Sequence, residues 1–267
     1  MSHIHDSAQA HLQTWQSRHF EKTKAGRSLV QFRNKHKGES CFILGNGPSL
    51  CAADLEALQD AGIVTFGTNR IYNIFPDTYW RPTYYACEDE LILKGKEQEV
   101  NRIPAEAKFI PAELKWYHGV NVKDADHYHI VYDAESLNPW GFSPDIAKGI
   151  GCRGTVTFTC MQIAVYMGFS KIYLLGVDHN YQVTIDIDGN VVTDPTAKDY
   201  FCEQYDEDIR ETAVHDMGQN TRAYLGAKGY LEAHPGSVIY NATRGGKLEV
   251  FERADLDEVI RGLKENG

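Results

Sequence analysis

The sequence predicts a doubly wound α/β domain on a mostly parallel sheet, and three observations carry that expectation. Cys41-Phe42-Ile43-Leu44 is an uninterrupted apolar run that stops at Gly45-Asn46-Gly47-Pro48, the pattern of a strand covered on both faces and entering a tight turn. Lys171-Ile172-Tyr173-Leu174-Leu175-Gly176-Val177-Asp178 repeats that pattern further on. Strand-length and helix-length stretches alternate around these two runs, with no internal repeat, low-complexity tract or long linker.

Taken in order, residues 1–39 are expected to form a helical N-terminal arm. From about Asp6 to Lys37 apolar residues are sparse and bases frequent, which predicts a solvated helix packing on the body or on a partner subunit. A homo-oligomer held through this arm is therefore one expectation. Residues 40–267 then read as a single α/β domain. A helix is expected near Ala52 to Asp60, a strand from Ile63 to Gly67 and another from Thr83 to Cys87. Lys108-Phe109-Ile110-Pro111 and His129-Ile130-Val131-Tyr132 are further strands. Thr155 to Met167 has helical apolar spacing and ends at Gly168, a C-cap residue. Tyr181 to Thr193 alternates around Asp188-Gly189 and reads as a hairpin. Asn220 to Ala233 reads as a helix, Ser237 to Tyr240 as a last core strand and Leu256 to Leu263 as a closing helix.

The charge balance narrows the function. The 267 residues include 27 Lys+Arg against 37 Asp+Glu, a net charge of −10. That excludes a protein that coats nucleic acid or an anionic membrane, since both need clustered bases. No apolar run approaches the roughly 20 residues that span a bilayer. The polar start, Met1 to His19, has no apolar segment of a secretory signal, so a cytoplasmic protein is expected. The six cysteines, without C-x-x-C or zinc-like pairing with His, are expected as reduced thiols. The sequon Asn241-Ala242-Thr243 is then idle.

Five segments bear candidate chemistry. In Gly45-Asn46-Gly47-Pro48-Ser49 the glycines let the chain turn and a ligand approach the backbone, while Pro48 suits a first helical position beside free N–H groups. This is a phosphate site or a plain strand-to-helix turn. The dinucleotide fingerprint fails, because Leu50 replaces its third glycine and Asn69 stands where the second strand's acid is expected. A P-loop is also lacking. Gly149 to Thr155 places Arg153 at a helix start, where a guanidinium meets phosphate or carboxylate, or simply a surface acid. Val177-Asp178-His179-Asn180-Tyr181 follows a buried strand, where open sheets hold ligands; Asp178 orients a base or sugar hydroxyl, or caps the strand. His215, beside Asp216, is a candidate general base or a bystander. Arg244 and Lys247 line an anion pocket or are solvated. Asp186-Ile187-Asp188-Gly189 is acidic, but as a hairpin tip it suits turn chemistry better than a metal, and no metal site is expected.

Ile43 to Leu50, Gly67-Thr68-Asn69, Arg153 through Gly168 to Asp178, Gly218 and Asn220-Thr221 resemble the Campylobacter-type bacterial sialyltransferases. Asn241-Ala242-Thr243 with Gly245 to Phe251 resembles the C-terminal signature of the wider DUF115 (MptE-like) family, which also holds motility-associated glycosyltransferases and archaeal hydroxymethylpterin diphosphokinases. The resemblance implies a Rossmann-like, GT-A-like sialyltransferase-type fold. It implies a glycosyltransferase that takes a nucleotide sugar, CMP-linked and sialic-acid-like, to a glycan acceptor in surface polysaccharide or glycoconjugate synthesis. Gly45, Asn46, Gly47, Ser49 and Asn69 would hold the nucleotide, with Glu88, Thr155, His179, Tyr181, Asn220 and Thr243 completing the substrate site. Arg153 would meet phosphate or the sugar carboxylate, Asp178 would position a substrate group and His215 would deprotonate the acceptor. No cofactor is required; Mg²⁺ enters only under the alternative of an ATP-dependent pterin-type diphosphokinase. A non-catalytic nucleotide-binding or assembly module is the third reading. Three positions depart from the sialyltransferase pattern: Val156 replaces a serine, Gln219 the general-base histidine and Glu88 an asparagine.

Overall fold

In the computed structural model, which describes residues 18–185, 190–202 and 215–266, β1 (Ser40–Leu44) runs through the middle of an eight-stranded sheet. The chain next lays β2 (Val64–Thr68), β3 (Tyr84–Ala86), β4 (Ala107–Pro111) and β5 (Ala125–Tyr128) outward on one side. Two short strands, β6 (Ile130–Val131) and β7 (Ile150–Gly151), pair with each other apart from this sheet. The path then returns to the centre as β8 (Lys171–Leu175). A peripheral sheet of β9 (Val183–Ile185), β10 (Val191–Thr193) and β11 (His215–Asp216) follows, and β12 (Val238–Asn241) and β13 (Glu252–Arg253) close the main sheet. All seven pairings in the main sheet are parallel.

Side-chain alternation explains the apolar runs. On β1, Cys41 and Ile43 enter one core layer while Phe42 and Leu44 enter the other, and β8 divides Ile172 and Leu174 from Tyr173 and Leu175 in the same way. Helices cover both faces. The described helices are α1 (Lys24–Leu29), α2 (Ala52–Asp60), α3 (Glu90–Leu93), α4 (Glu97–Asn101), α5 (Ala112–His118), α6 (Val156–Met167), α7 (Met217–Ala233) and α8 (Leu256–Asn266). Eleven of the twelve residues of α6 are buried, with the arm and α7 on its side of the sheet. The side chain of Thr155 caps its start, and Gly168, at φ 88°, ends it in the left-handed conformation. Residues of α2, α3, α4 and α8 fill the opposite layer.

Three expectations change. The strand expected at His129–Tyr132 is displaced: the half-exposed Ala125–Tyr128 forms the sheet edge, and Ile130-Val131 pairs with Ile150-Gly151 instead. Pro48 does not open a helix, because α2 starts at Ala52 behind Cys51. The described part of the arm is not a solvated helix. It is α1 between 3-10 turns, and Phe20, Leu29 and Phe32 are buried in the chain's own core. The arm's backbone also closes the end of α6: the N–H groups of Asn34, His36 and Gly38 donate to the carbonyls of Tyr166, Met167 and Gly168 at 3.0, 2.8 and 2.9 Å. The rest of the arm, residues 1–17, and the acidic tip Asp186–Gly189 lie outside the described residues. The expected hairpin is present as the antiparallel β9 and β10. All six cysteines are free. Among the described residues no helix is long and apolar enough to cross a membrane.

Candidate functional site

Strand order reverses between β1 and β8, and that reversal opens a crevice at the carboxyl ends of the central strands. It forms a cavity walled by the turns after β1, β2, β3 and β8, by the start of α6 and by one face of α7.

The turn after β1 supplies Asn46. Its amide Nδ2 donates to the Thr68 carbonyl at 3.0 Å and to Thr68 Oγ1 at 3.3 Å, while that hydroxyl donates to the Leu44 carbonyl at 2.8 Å. A carbonyl can only accept, so the amide's orientation is fixed and Oδ1 is the atom left over. Asn46 Oδ1 is buried without a partner. Asn69, in the left-handed region at φ 49°, also carries a buried, unpartnered Oδ1. Both residues line the cavity. Native interiors rarely leave such acceptors unpaired.

The glycines of this turn answer to a neighbour in the chain. Neither Gly45 nor Gly47 has positive φ. A Cβ at Gly45 would overlap the Gly176 carbonyl oxygen, and one at Gly47 would overlap Asp178 Oδ2. The close approach is thus between the turns after β1 and β8. Ser49 lies behind that contact: its hydroxyl donates to Asp178 Oδ2 at 2.7 Å and its N–H at 3.4 Å. Burial raises the Asp178 pKa, and the two Ser49 donors pull it back. Ser49→Ala is expected to cost about 1–2 kcal/mol, more near pH 8, where the carboxylate is ionised, than near pH 4. Urea unfolding at the two pH values measures this.

Glu88, just past β3, faces the same cavity and accepts from Thr159 Oγ1 at 2.7 Å. Burial pushes its pKa up to about 7 against the pull of that hydroxyl. Thr155 lines the cavity at the start of α6, as do the next two residues; its hydroxyl accepts the Thr157 N–H at 3.4 Å and its carbonyl the Phe158 N–H at 3.0 Å, so the helix presents the positive end of its dipole to the cavity. The Tyr224 hydroxyl, from α7, bonds the Thr155 and Thr157 side chains. His179, at φ 52°, packs edge-on to Tyr224 with ring centroids 5.7 Å apart, and burial lowers its pKa. Tyr181 and Asn220 complete the expected residues on this wall.

Other expected residues stand elsewhere. The Arg153 guanidinium packs against Gly141 and reaches Glu135 at 3.5 Å; it is not part of the cavity lining. The positive φ of 73° at Gly154 turns the chain between Arg153 and the cavity residues that follow. Thr243 is structural, its hydroxyl accepting the Val177 N–H at 3.1 Å. Arg244 is held between Asp54 and Asp257, at 3.1 and 2.9 Å. Of His215 only the backbone is described, in β11 beside Thr184. Sequence reasoning missed Thr68, Asp89, Thr157, Asp199, Tyr200 and Tyr224. Tyr224 had a signal, since it follows Asn220 by four residues on one helix. Asp199 and Tyr200 come from an irregular loop that carries none.

Electrostatically the lining is one-sided. Glu88, Asp89, Asp178 and Asp199 contribute to it, and no Lys or Arg does among the described residues. No group of three or more His, Cys, Asp or Glu among those residues is arranged to hold a metal ion.

A family model described as 6-hydroxymethylpterin diphosphokinase MptE-like matches residues 17–184, more than half of the chain. No curated protein sequence matches significantly. Among solved structures, the MAf glycosyltransferase from Magnetospirillum magneticum AMB-1 superposes with a TM-score of 0.51 at 15% identity, over 91% of this chain and 41% of that protein. The chain thus spans about two fifths of that enzyme's length. The sialyltransferase CstII from Campylobacter jejuni, solved in complex with a substrate analogue, cytidine-5'-monophosphate, has a TM-score of 0.46 at 21% identity, over 82% of this chain and 86% of that one.

Proposed function

The chain belongs to the MptE-like (DUF115) family, and on that premise we propose that it is a glycosyltransferase holding a nucleotide-activated sugar in the switch-point cavity. The observation that carries this reading is the pair of buried, unpartnered amide oxygens of Asn46 and Asn69 on one wall. An amino or hydroxyl donor of a nucleoside would satisfy them. The start of α6 faces the same space and suits a phosphate without help from a basic side chain. A CMP-linked donor, sialic-acid-like, fits best because its leaving group carries a single phosphate, which a few backbone donors can meet. Asp178 holds the nucleotide-facing turn through Ser49, and the sugar passes to a glycan acceptor in cytoplasmic synthesis of a surface polysaccharide or glycoconjugate. The fold shared with the Magnetospirillum enzyme is compatible with this chemistry, although fold alone does not set the reaction.

A second reading, ATP-dependent diphosphokinase chemistry, is favoured by the family description and by the four carboxylates of the lining. Among the described residues no three His, Cys, Asp or Glu are arranged to hold a divalent ion by themselves, so the ion this reading needs would be held by the nucleotide's phosphates and one or two of these carboxylates. Thermal unfolding separates the two. Saturating CMP at about 100 times its Kd is expected to stabilise the protein by about 3 kcal/mol, raising Tm by several degrees, with ATP and Mg²⁺ giving no comparable rise. Protection by ATP and Mg²⁺ but not by CMP sinks the nucleotide-sugar reading.

A further inference from the structure

We propose that His179 is the general base that removes the proton from the acceptor hydroxyl, the role expected from sequence for His215; this rests on the nucleotide-sugar reading above. The Thr221 hydroxyl donates to the Met217 carbonyl at 2.8 Å. Its oxygen is therefore left to accept, and His179 Nε2 lies 2.9 Å away. The proton of the neutral ring is placed on Nε2 by this network, which leaves the lone pair on Nδ1. His179 makes no second hydrogen bond among the described residues, and it lines the cavity.

The backbone supports the assignment. A histidine at φ 52° sits in a region that non-glycine residues seldom occupy, and such outliers gather at sites where a side chain must be aimed. The Lys247 N–H donates to the Asp178 carbonyl at 2.7 Å, and Gly246 packs against the Asp178 backbone too closely for a Cβ, so the preceding residue is clamped. Among the described residues no charged group is bonded to the ring: α7 offers it Thr221 and Tyr224, burial raises the Tyr224 pKa, and the Asp178 carboxylate is bonded to Ser49. Burial of the ring itself favours the neutral base. A second cavity, with Thr221 in its wall, adjoins the first at Asn180 and Tyr181 and gives the acceptor an approach separate from the donor's.

In the proposed step the acceptor O–H proton passes to Nδ1. The freed oxygen pair forms the bond to the anomeric carbon, and the bond from that carbon to the phosphate oxygen breaks with its electrons leaving on the nucleotide. Thr221 is a positioning residue, since it acts only through the ring.

The test uses CMP for binding and CMP-N-acetylneuraminic acid for turnover, followed as CMP release. His179→Gln is expected to lose about 10²- to 10⁴-fold in kcat while binding CMP within threefold of the parent. Its rate should also lack the acidic limb that the parent's pH profile shows as the ring protonates. Thr221→Val keeps the ring but frees its tautomer, and is expected to lose about tenfold with the acidic limb displaced. Retention of more than a tenth of the parent's turnover by His179→Gln, with the acidic limb intact, overturns the assignment. Should that variant fail to fold, unchanged turnover and an unmoved limb in Thr221→Val overturn it equally. A parent protein that neither binds CMP nor releases it from the sugar nucleotide overturns the underlying reading, and His179 falls with it.

Discussion

Gly45→Ala is expected to lower the unfolding free energy by about 3 kcal/mol, a fall in Tm of roughly 6–12 °C for a chain of this size. The new methyl has no soft neighbour to displace. It would overlap the Gly176 carbonyl oxygen, and the Gly45 N–H already donates to the Leu175 carbonyl at 2.8 Å, so the two turns are tied where the methyl must go. Relief requires β1 and β8 to part, and these central strands pair over five consecutive residues. Gly47→Ala meets the same backbone oxygen less closely: its methyl would overlap the Asp178 carboxylate and stand 2.8 Å from the Gly176 carbonyl oxygen, so the expected loss is about 2 kcal/mol. Denaturant unfolding of both variants checks this, and a loss of under about 1 kcal/mol in Gly45→Ala would show that the Gly176 backbone does not crowd the site.

Glu88→Gln is expected to stabilise the protein relative to the parent near pH 8 by about 3 kcal/mol more than it does near pH 5. In the folded chain this carboxyl has its pKa raised from 4.5 to about 7, with burial as the first cause. The sign follows directly. Below about pH 4.5 the group is protonated whether folded or not and contributes no penalty. As pH rises through 7 the folded state must ionise a desolvated acid, and the stability present at low pH is lost. Glutamine keeps an acceptor for Thr159 Oγ1 and never ionises. Urea unfolding of both proteins at the two pH values isolates this group, because the remaining titrations cancel in the difference. A pH-independent difference would refute the buried-acid account. At neutral pH the parent then presents a partly protonated carboxyl to the cavity, able to donate as well as accept.

The central strands were legible because burial on both faces removes polar alternation, and α6 because an apolar stretch ends at a single glycine. The sheet edge was not. Ala125–Tyr128 carries Asp126 and His127 at its centre and buries only Tyr128 fully, so the more apolar Ile130-Val131 reads as the strand although it pairs elsewhere. The arm misled for a related reason. Its buried apolar residues are spread over three short elements, Phe20 on a 3-10 turn, Leu29 at the end of α1 and Phe32 on a second 3-10 turn, so no single helical stripe marks them. Residues placed by strand ends, such as Asn46, Asn69, Asp178 and His179, were legible from position alone. Arg153 was not, since whether a guanidinium faces a ligand or Glu135 depends on one glycine torsion beside it.

The arm's closure of α6 bears on how the chain is made. Asn34, His36 and Gly38 leave the ribosome roughly 130 residues ahead of the carbonyls they meet at Tyr166, Met167 and Gly168. At bacterial or eukaryotic synthesis rates that delay is on the order of ten seconds. Phe32 and Phe20 meet ring partners sooner, at Tyr84, Phe109 and Trp116, so the arm's side chains can pack before its backbone finds the end of α6. The arm's backbone bonds to α6 can close only after that delay, and they seal the end of α6 opposite the cavity.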